Sequence, residues 1–287
     1  MNNVNKLILG TVQFGLNYGI NNISGKVQPE NVSSMLEFAH NSGIKFLDTS
    51  YAYGESELVL GNCLSQNPLK FNIVSKYPQC DKTVNQIFEE TLSRLKTTHL
   101  YGYLVHHFNF YLENPLIWEQ FKALKENGRV DKIGFSLYST VELDYLFNHN
   151  VEFDLIQIPY NILDKQFAPY LSELHQRNIE VHTRSTFLQG LLYKDPQTLS
   201  TTLLPLKPSL NLLHSYCDNN NLTIEQLALN WVLNQTDIDG VLIGVDNISQ
   251  LNNNIKTADR SIKQVDIDFI ESIHVKEKEL LNPVNWK

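Results

Sequence analysis

Short apolar runs alternate with helical periodicity along the whole chain. Eight segments, at residues 7–12, 45–48, 72–76, 101–106, 132–136, 155–158, 180–184 and 240–244, are short and mostly apolar, the pattern of strands covered on both faces. Between them apolar positions recur with a period near 3.6. Val32, Met35, Leu36 and Ala39 follow Pro29 at helical spacing, and Gly43 stops the run. Val84, Ile87, Phe88, Thr91, Leu92 and Leu95 repeat the rhythm. Thr223-Ile224-Glu225-Gln226 and Asn247-Ile248-Ser249-Gln250 carry the polar pair of a capping box, so helices are predicted to open there. Gly128 ends a helix that begins near Pro115. The longest stretch without a strand, 184–240, is predicted to hold a loop around 194–208 and two helices.

Strand and helix alternating in this way imply parallel pairing through right-handed crossovers. Eight repeats fit an α/β fold of the closed (β/α)8 TIM-barrel type, with residues 1–287 as a single domain; a doubly wound open sheet is the alternative. No linker, low-complexity stretch or charge block divides the chain. In a barrel the chemistry sits where the strands end, so the residues at their C-terminal ends decide function.

Composition narrows the partners. With 42% hydrophobic residues the 287-residue chain can bury a large core. Lys plus Arg is 23 against 31 for Asp plus Glu, a net charge of -8, which argues against nucleic acid while leaving room for one local phosphate site. Cys63, Cys80 and Cys217 form no CxxC motif, so neither a disulfide framework nor a metal site is expected. The segment from Met1 to Lys6 lacks the apolar core of a signal peptide, and no apolar run reaches the ~18 residues of a membrane span. The expected location is cytoplasmic, with no membrane partner.

Candidate chemistry gathers at three consecutive strand ends. Asp48-Thr49-Ser50-Tyr51-Ala52-Tyr53-Gly54-Glu55-Ser56-Glu57 follows the second strand, Lys76 ends the third, and His106-His107 ends the fourth. Neighbouring strands bring such residues to one mouth. Carbonyl reduction needs a hydride on carbon and a proton on oxygen. A phenol with a pKa near 10 is a poor acid at neutral pH; a nearby ammonium is expected to lower it. A carboxylate paired with that ammonium keeps it in place despite burial, and a histidine can orient the carbonyl oxygen.

This set resembles the signature of the aldo-keto reductase superfamily: Asp48 and Tyr53 five residues apart, Lys76 23 further on and His106 30 beyond that. The likeness runs from Leu7-Ile8-Leu9-Gly10-Thr11 to about Ile255. It includes Gly128-Arg129-Val130-Asp131-Lys132-Ile133-Gly134-Phe135-Ser136, Gln157-Ile158-Pro159-Tyr160-Asn161 and the Gly190-Leu191-Leu192 turn. The resemblance implies an NAD(P)H-dependent reductase or alcohol dehydrogenase acting on a small-molecule carbonyl. Tyr53 is then general acid or base, Asp48 and Lys76 tune it, and His106 orients the substrate oxygen, with His107 as rival. Tyr51 is the less favoured acid, since the family's tyrosine stands just before Gly54.

No GxGxxG follows the first strand; Gly10-Thr11-Val12-Gln13-Phe14-Gly15 is a different loop, so a Rossmann site is excluded. The resemblance lays an extended dinucleotide across the mouth. Thr11 and Val12 border nicotinamide and pyrophosphate, with Asp48 and Gly190 beside the cofactor. Ser136 and Gln157 hold the carboxamide, and Arg184 takes the ring-stacking position. Gly244, Asp246, Asn247, Gln250 and Asn254 meet the adenosine end at a helix N-terminus. Leu137 stands where the family commonly has asparagine. Family habit implies NADPH; Asp246 would repel a 2′-phosphate but accept from a free 2′-hydroxyl, which leaves NADH open, with Lys256 and Arg260 as compensating cations.

Two other functions remain: a catalytically idle barrel sensing nicotinamide redox state for a protein partner, and a different barrel enzyme such as a metal-dependent hydrolase, for which no His-x-His pair follows the first strand, or a Schiff-base aldolase using Lys76. The opening Gly10-Thr-Val-Gln-Phe-Gly-Leu-Asn-Tyr-Gly-Ile-Asn-Asn22 resembles a bacterial branch of sugar and surface-polysaccharide metabolism, which implies a sugar-derived carbonyl. Loops 107–115 and 192–208 and the tail 280–287 carry substrate choice, with Tyr18, Phe108, Phe110 and Trp286 as candidate wall residues. The early first strand leaves little room for the N-terminal hairpin that often plugs the floor of this family's barrels.

Overall fold

The eight apolar runs become eight strands: β1 (Leu7–Gly10), β2 (Phe46–Asp48), β3 (Asn72–Tyr77), β4 (Leu100–Val105), β5 (Val130–Ser136), β6 (Leu155–Pro159), β7 (Glu180–Arg184) and β8 (Gly240–Gly244). In this computed structural model each pairs in parallel with the next and β8 closes on β1, giving a closed barrel rather than an open sheet. Residues 3–286 are described; Met1, Asn2 and Lys287, the last residue of the expected substrate tail, lie outside the described residues. Among the described residues no helix is long and apolar enough to cross a membrane, and no group of three or more His, Cys, Asp or Glu side chains is placed to hold a metal ion.

Strand alternation sorts the barrel interior into layers, because every second residue points inward. At the floor, the Glu180 carboxylate lies 2.6 Å from His182 Nε2 and accepts from Tyr101 Oη at 2.6 Å and from Lys132 Nζ. Phe46 packs edge-on against Tyr101 and His182. Val74, Leu104 and Leu155 form an apolar waist. Two residues further along the same strands stand the polar side chains of the mouth. The N-terminal segment Asn3–Lys6 is a single 3-10 turn.

The first strand stops two residues short of its predicted end. Thr11 N and Oγ1 both donate to the Asp48 carbonyl, at 3.0 and 2.9 Å, and Thr11 O accepts from Phe14 N at 2.9 Å. These bonds turn the chain into the short helix Val12–Gly15, so Thr11 and Val12 leave the sheet. His106 likewise falls just past β4.

The helix predicted to open at Pro29 spans Pro29–Asn41. The one placed near Pro115 spans Ile117–Glu126. The Thr223 capping box forms with both reciprocal bonds. At Asn247 only half forms. Asn247 Oδ1 accepts from Gln250 N at 3.0 Å, but Gln250 Oε1 reaches back one residue further, to Asp246 N at 2.7 Å. The stretch after β7 holds three 3-10 turns, Leu188–Tyr193, Pro196–Thr198 and Thr201–Leu206, then helices Lys207–Asn220 and Ile224–Leu233.

Candidate active site

Asp48 on β2, Lys76 on β3 and Gln157 on β6 meet at the mouth, each at most 1% exposed. Lys76 Nζ lies 2.6 Å from Asp48 Oδ1 and donates to Thr49 O at 2.9 Å; Gln157 Nε2 donates to Asp48 Oδ2 at 2.8 Å. Both carboxylate oxygens are thus engaged, which a buried ion pair requires if it is not to be expelled. Burial pulls the Lys76 ammonium below its ordinary range, and Asp48 pulls it back up.

Tyr53 is carried over this pair by a tight crossing of two loops. A Cβ on Gly15 would run into the Tyr53 carbonyl oxygen, and Gly54 adopts φ 58° with its own Cβ position 2.8 Å from Gly15 O. Only glycine allows both the approach and the left-handed backbone. The turn continues as Tyr53 N donates to Ser50 O and Ser56 N to Tyr53 O, both at 3.0 Å.

Lys76 Nζ is 5.1 Å from the Tyr53 ring centroid, and His106 meets that ring edge-on at 5.7 Å. The phenol was expected to be lowered by the ammonium. It is instead held above its ordinary range, first by burial, then by the charge of Asp48 and by Tyr138, with Arg184 opposing. Desolvation of the phenolate outweighs what the ammonium, paired with Asp48 at 2.6 Å, returns to it.

His106 lines the cavity, while His107 does not; it is exposed and precedes the helix Phe108–Glu113. Their rings stack at 4.6 Å. Burial, then Lys76, His107 and Arg184, hold His106 well below the ordinary imidazole range, so the ring is neutral. Its Nδ1 lies 3.1 Å from Ser50 Oγ. Tyr51 turns away, donating to Glu90 Oε2 at 2.6 Å with the Arg94 guanidinium 3.9 Å over its ring.

The cavity above these residues has a volume of about 620 Å³, the size of a site for a large organic ligand. Thr11, Val12, Asp48, Ser136, Gln157 and Arg184 line one end. The Thr11 hydroxyl is already committed, to Asp48 O and to Ser56 Oγ at 2.8 Å. Among the described residues Arg184 makes no salt bridge and its buried Nε has no partner; its guanidinium stacks on Tyr138 at 4.0 Å and donates to Leu137 O at 3.0 Å. Gly190 also lines the cavity, at φ 94°, and its carbonyl accepts from Asn21 Nδ2.

Gly244, Asp246, Gln250 and Asn254 line the other end. Asn247 does not; its side chain caps the helix Ile248–Ala258. Asp246 Oδ1 is buried with no partner among the described residues, and burial raises its carboxyl. Lys256 and Arg260, offered as compensating cations, are not in the lining.

Of the expected wall residues, Tyr18 lines the cavity. Phe108 packs on Tyr111, Phe135 and Tyr145, Phe110 on Tyr77, and Trp286 donates to Leu280 O. Sequence reasoning missed Ser50, Tyr138 and the amides Asn21, Asn22 and Asn282. Tyr138 had a signal, since it continues the inward phase of Lys132, Gly134 and Ser136.

Known proteins share this arrangement of the chain. A sequence profile of the aldo/keto reductase family matches residues 6–275. L-galactose dehydrogenase of Arabidopsis thaliana is 26% identical, over 87% of this chain and 84% of its own. The NADH-specific methylglyoxal reductase of Escherichia coli (strain K12) is 24% identical, over 84% of this chain and 88% of its own. The crystal structure of an aldo/keto reductase from Klebsiella pneumoniae in complex with NADP and acetate shares the fold, with a TM-score of 0.71 at 18% identity, covering 93% of this chain and 90% of that one.

Proposed function

The chain belongs to the aldo/keto reductase family, and from that premise we propose that it reduces an aldehyde or ketone to an alcohol, or runs the reverse, with Tyr53 handling the proton on oxygen. Membership itself makes it a nicotinamide-dependent oxidoreductase of carbonyl compounds. One observation carries the finer reading: a buried Asp48–Lys76 pair lies beneath the Tyr53 ring, with His106 edge-on to that ring at a cavity mouth.

The residues present suit a dinucleotide. The cavity is long enough to reach from Tyr53 to the start of the helix Ile248–Ala258, and the orphaned Asp246 oxygen awaits a donor. Ser136 and Gln157 would hold the carboxamide, Arg184 would stack, and Thr11, Val12 and Gly190 would flank the pyrophosphate. Gly244, Asp246, Gln250 and Asn254, with the backbone at Asn247, would take the adenosine end. The bound cofactor supplies or accepts the hydride. Tyr53, neutral, holds the proton that the developing alkoxide needs. His106 donates to the same oxygen, and Lys76 stabilises the phenolate as the proton leaves.

Family habit favours NADPH, yet among the described residues no lysine lines the cavity and Arg184, the one arginine there, lies at the Tyr53 end, so the reading here is a preference for NADH set by Asp246. The wall combines the aromatic faces of Tyr18 and Tyr138 with the amides of Asn21, Asn22 and Asn282. Flat rings and paired donors and acceptors suit a polyhydroxylated carbonyl, in keeping with the L-galactose dehydrogenase among the relatives. The test is Tyr53→Phe. Turnover of an aldehyde and sugar panel should fall by about 10²–10⁴, with cofactor affinity unchanged; a Tyr53→Phe protein as active as the unaltered one refutes the assignment. Tight dinucleotide binding by the unaltered protein, with no turnover of anything offered, would instead favour the redox-sensing alternative.

A further inference from the structure

We propose that Ser50 is a positioning residue that fixes the proton of the His106 ring on Nε2, so that the ring presents a donor to the substrate oxygen. The inference rests on the reading of His106 as the group that meets that oxygen.

A serine hydroxyl has one hydrogen and two acceptor sites. Ser50 is fully buried, so every one of these must be matched inside the protein or left unmet at a cost. Ala52 N donates to Ser50 Oγ at 3.1 Å, which uses one acceptor site. The other partner within reach is His106 Nδ1, also at 3.1 Å.

Two assignments are then possible. If Nδ1 carries the ring proton and donates, Ser50 Oγ receives two hydrogens and its own is buried with nothing to accept it. If the hydroxyl donates to Nδ1, all three groups are satisfied. The second assignment leaves Nδ1 unprotonated and puts the single proton of the neutral ring on Nε2.

The surroundings keep the ring neutral and therefore make the choice of nitrogen matter. Lys76, His107 and Arg184 all stand close enough to oppose a second proton. Lys76 does not compete for Ser50, because its bonds go to Asp48 Oδ1 and Thr49 O. Nε2 has no protein partner among the described residues, and His106 lines the cavity, so the nitrogen left over is the one available to a ligand. Were the proton on Nδ1, the cavity would meet a lone pair there, and two lone pairs would face each other when a carbonyl oxygen approached.

The residue type follows from its place. Ser50 lies in the turn between Asp48 and Tyr53, and its backbone carbonyl accepts from Tyr53 N at 3.0 Å. One short side chain therefore ties the loop that carries the phenol to the ring that works beside it.

The experiment uses the whole protein with 15N-labelled histidine. In the unaltered chain His106 Nδ1 should resonate as an unprotonated nitrogen and Nε2 as a protonated one. Ser50→Ala should give exchange-averaged shifts for both. In turnover, Ser50→Ala should lower kcat by about tenfold, a fraction of the 10²–10⁴ available to acid–base groups, with cofactor Kd unchanged. Added to His106→Ala, it should cost nothing further, since a residue acting through another has no effect once that other is gone. A proton on Nδ1 in the unaltered chain, or an equal loss from Ser50→Ala with and without His106, overturns the proposal. The tautomer is read without any substrate, so its failure is separable from failure of the proposed reaction.

Discussion

Asp246→Asn isolates one charge at the far end of the cavity. The side chain is half-buried in the loop between β8 and the helix Ile248–Ala258, and one carboxylate oxygen has no partner among the described residues. Two unit charges about 4 Å apart repel by about 1 kcal/mol in water and about 4 kcal/mol near a protein surface. A half-buried loop falls between, at about 2 kcal/mol. A phosphate monoester carries about −1.5 to −2 at neutral pH, so a 2′-phosphate against Asp246 loses roughly 3–4 kcal/mol. Asparagine keeps the shape and one acceptor but not the charge. Affinity for NADPH should therefore rise by at least about a hundredfold, at about 1.4 kcal/mol per tenfold. Affinity for NADH should fall about fivefold, as a charge-assisted bond to the 2′-hydroxyl becomes an ordinary one. Calorimetric titration of both nucleotides measures this directly, without a substrate. Salt supplies an internal check: the screening length shrinks from about 30 Å at 0.01 M to about 3 Å at 1 M, so the preference for NADH should narrow as salt is added. If the unaltered protein binds NADPH as tightly as NADH, or if Asp246→Asn leaves their ratio unmoved, the reasoning about this loop is wrong.

Two further outcomes concern pH. Burial pushes the Glu180 carboxyl up, but the His182 bond and charge and the bonds from Lys132 and Tyr101 outweigh it and bring it down to about 2. A depressed carboxyl stabilises the fold fully above its unfolded value and loses that contribution as pH falls towards the folded value; denaturant unfolding should show about 3 kcal/mol lost between about pH 5 and about pH 2, and Glu180→Gln should flatten that slope. At the mouth, Tyr53 is held above its ordinary range, so it stays protonated through neutrality. Reduction should be insensitive to pH there while oxidation, which needs the phenolate, climbs with pH; a reduction rate that falls from about pH 6 to about pH 8 contradicts this.

The barrel was legible because its strands are apolar on both faces, and the convergence of Asp48, Lys76 and His106 followed from their position at neighbouring strand ends. Period two also exposes the inward polar phase of Glu180, His182 and Arg184, although not what those side chains meet. The misses share a cause: each depends on a partner distant in sequence. The chain leaves β1 at Gly10 because Thr11 is caught by a carbonyl 37 residues away. Arg184 stacks on Tyr138, 46 residues away, a contact that residue types alone do not place. The sign of the Tyr53 shift was wrong for a different reason. It is a balance of burial, Asp48, Tyr138 and Arg184, and residue types alone do not rank those influences.

Asp48 explains why so much of the site is written in one short stretch. Its carbonyl oxygen takes both donors of Thr11 and so shapes the loop on one side of the cavity. Oδ1 holds Lys76 and Oδ2 holds Gln157, on strands to either side of the mouth. A buried ion pair is rarely retained for stability alone, because apolar residues of similar volume do as well or better. Here the same carboxylate raises the phenol, anchors the Lys76 ammonium, and turns Gln157 so that Nε2 points at Asp48. The cost of burying its charge is thus borne by the group through which the Thr11 loop, the Lys76 ammonium beneath the Tyr53 ring and the Gln157 amide are set relative to one another.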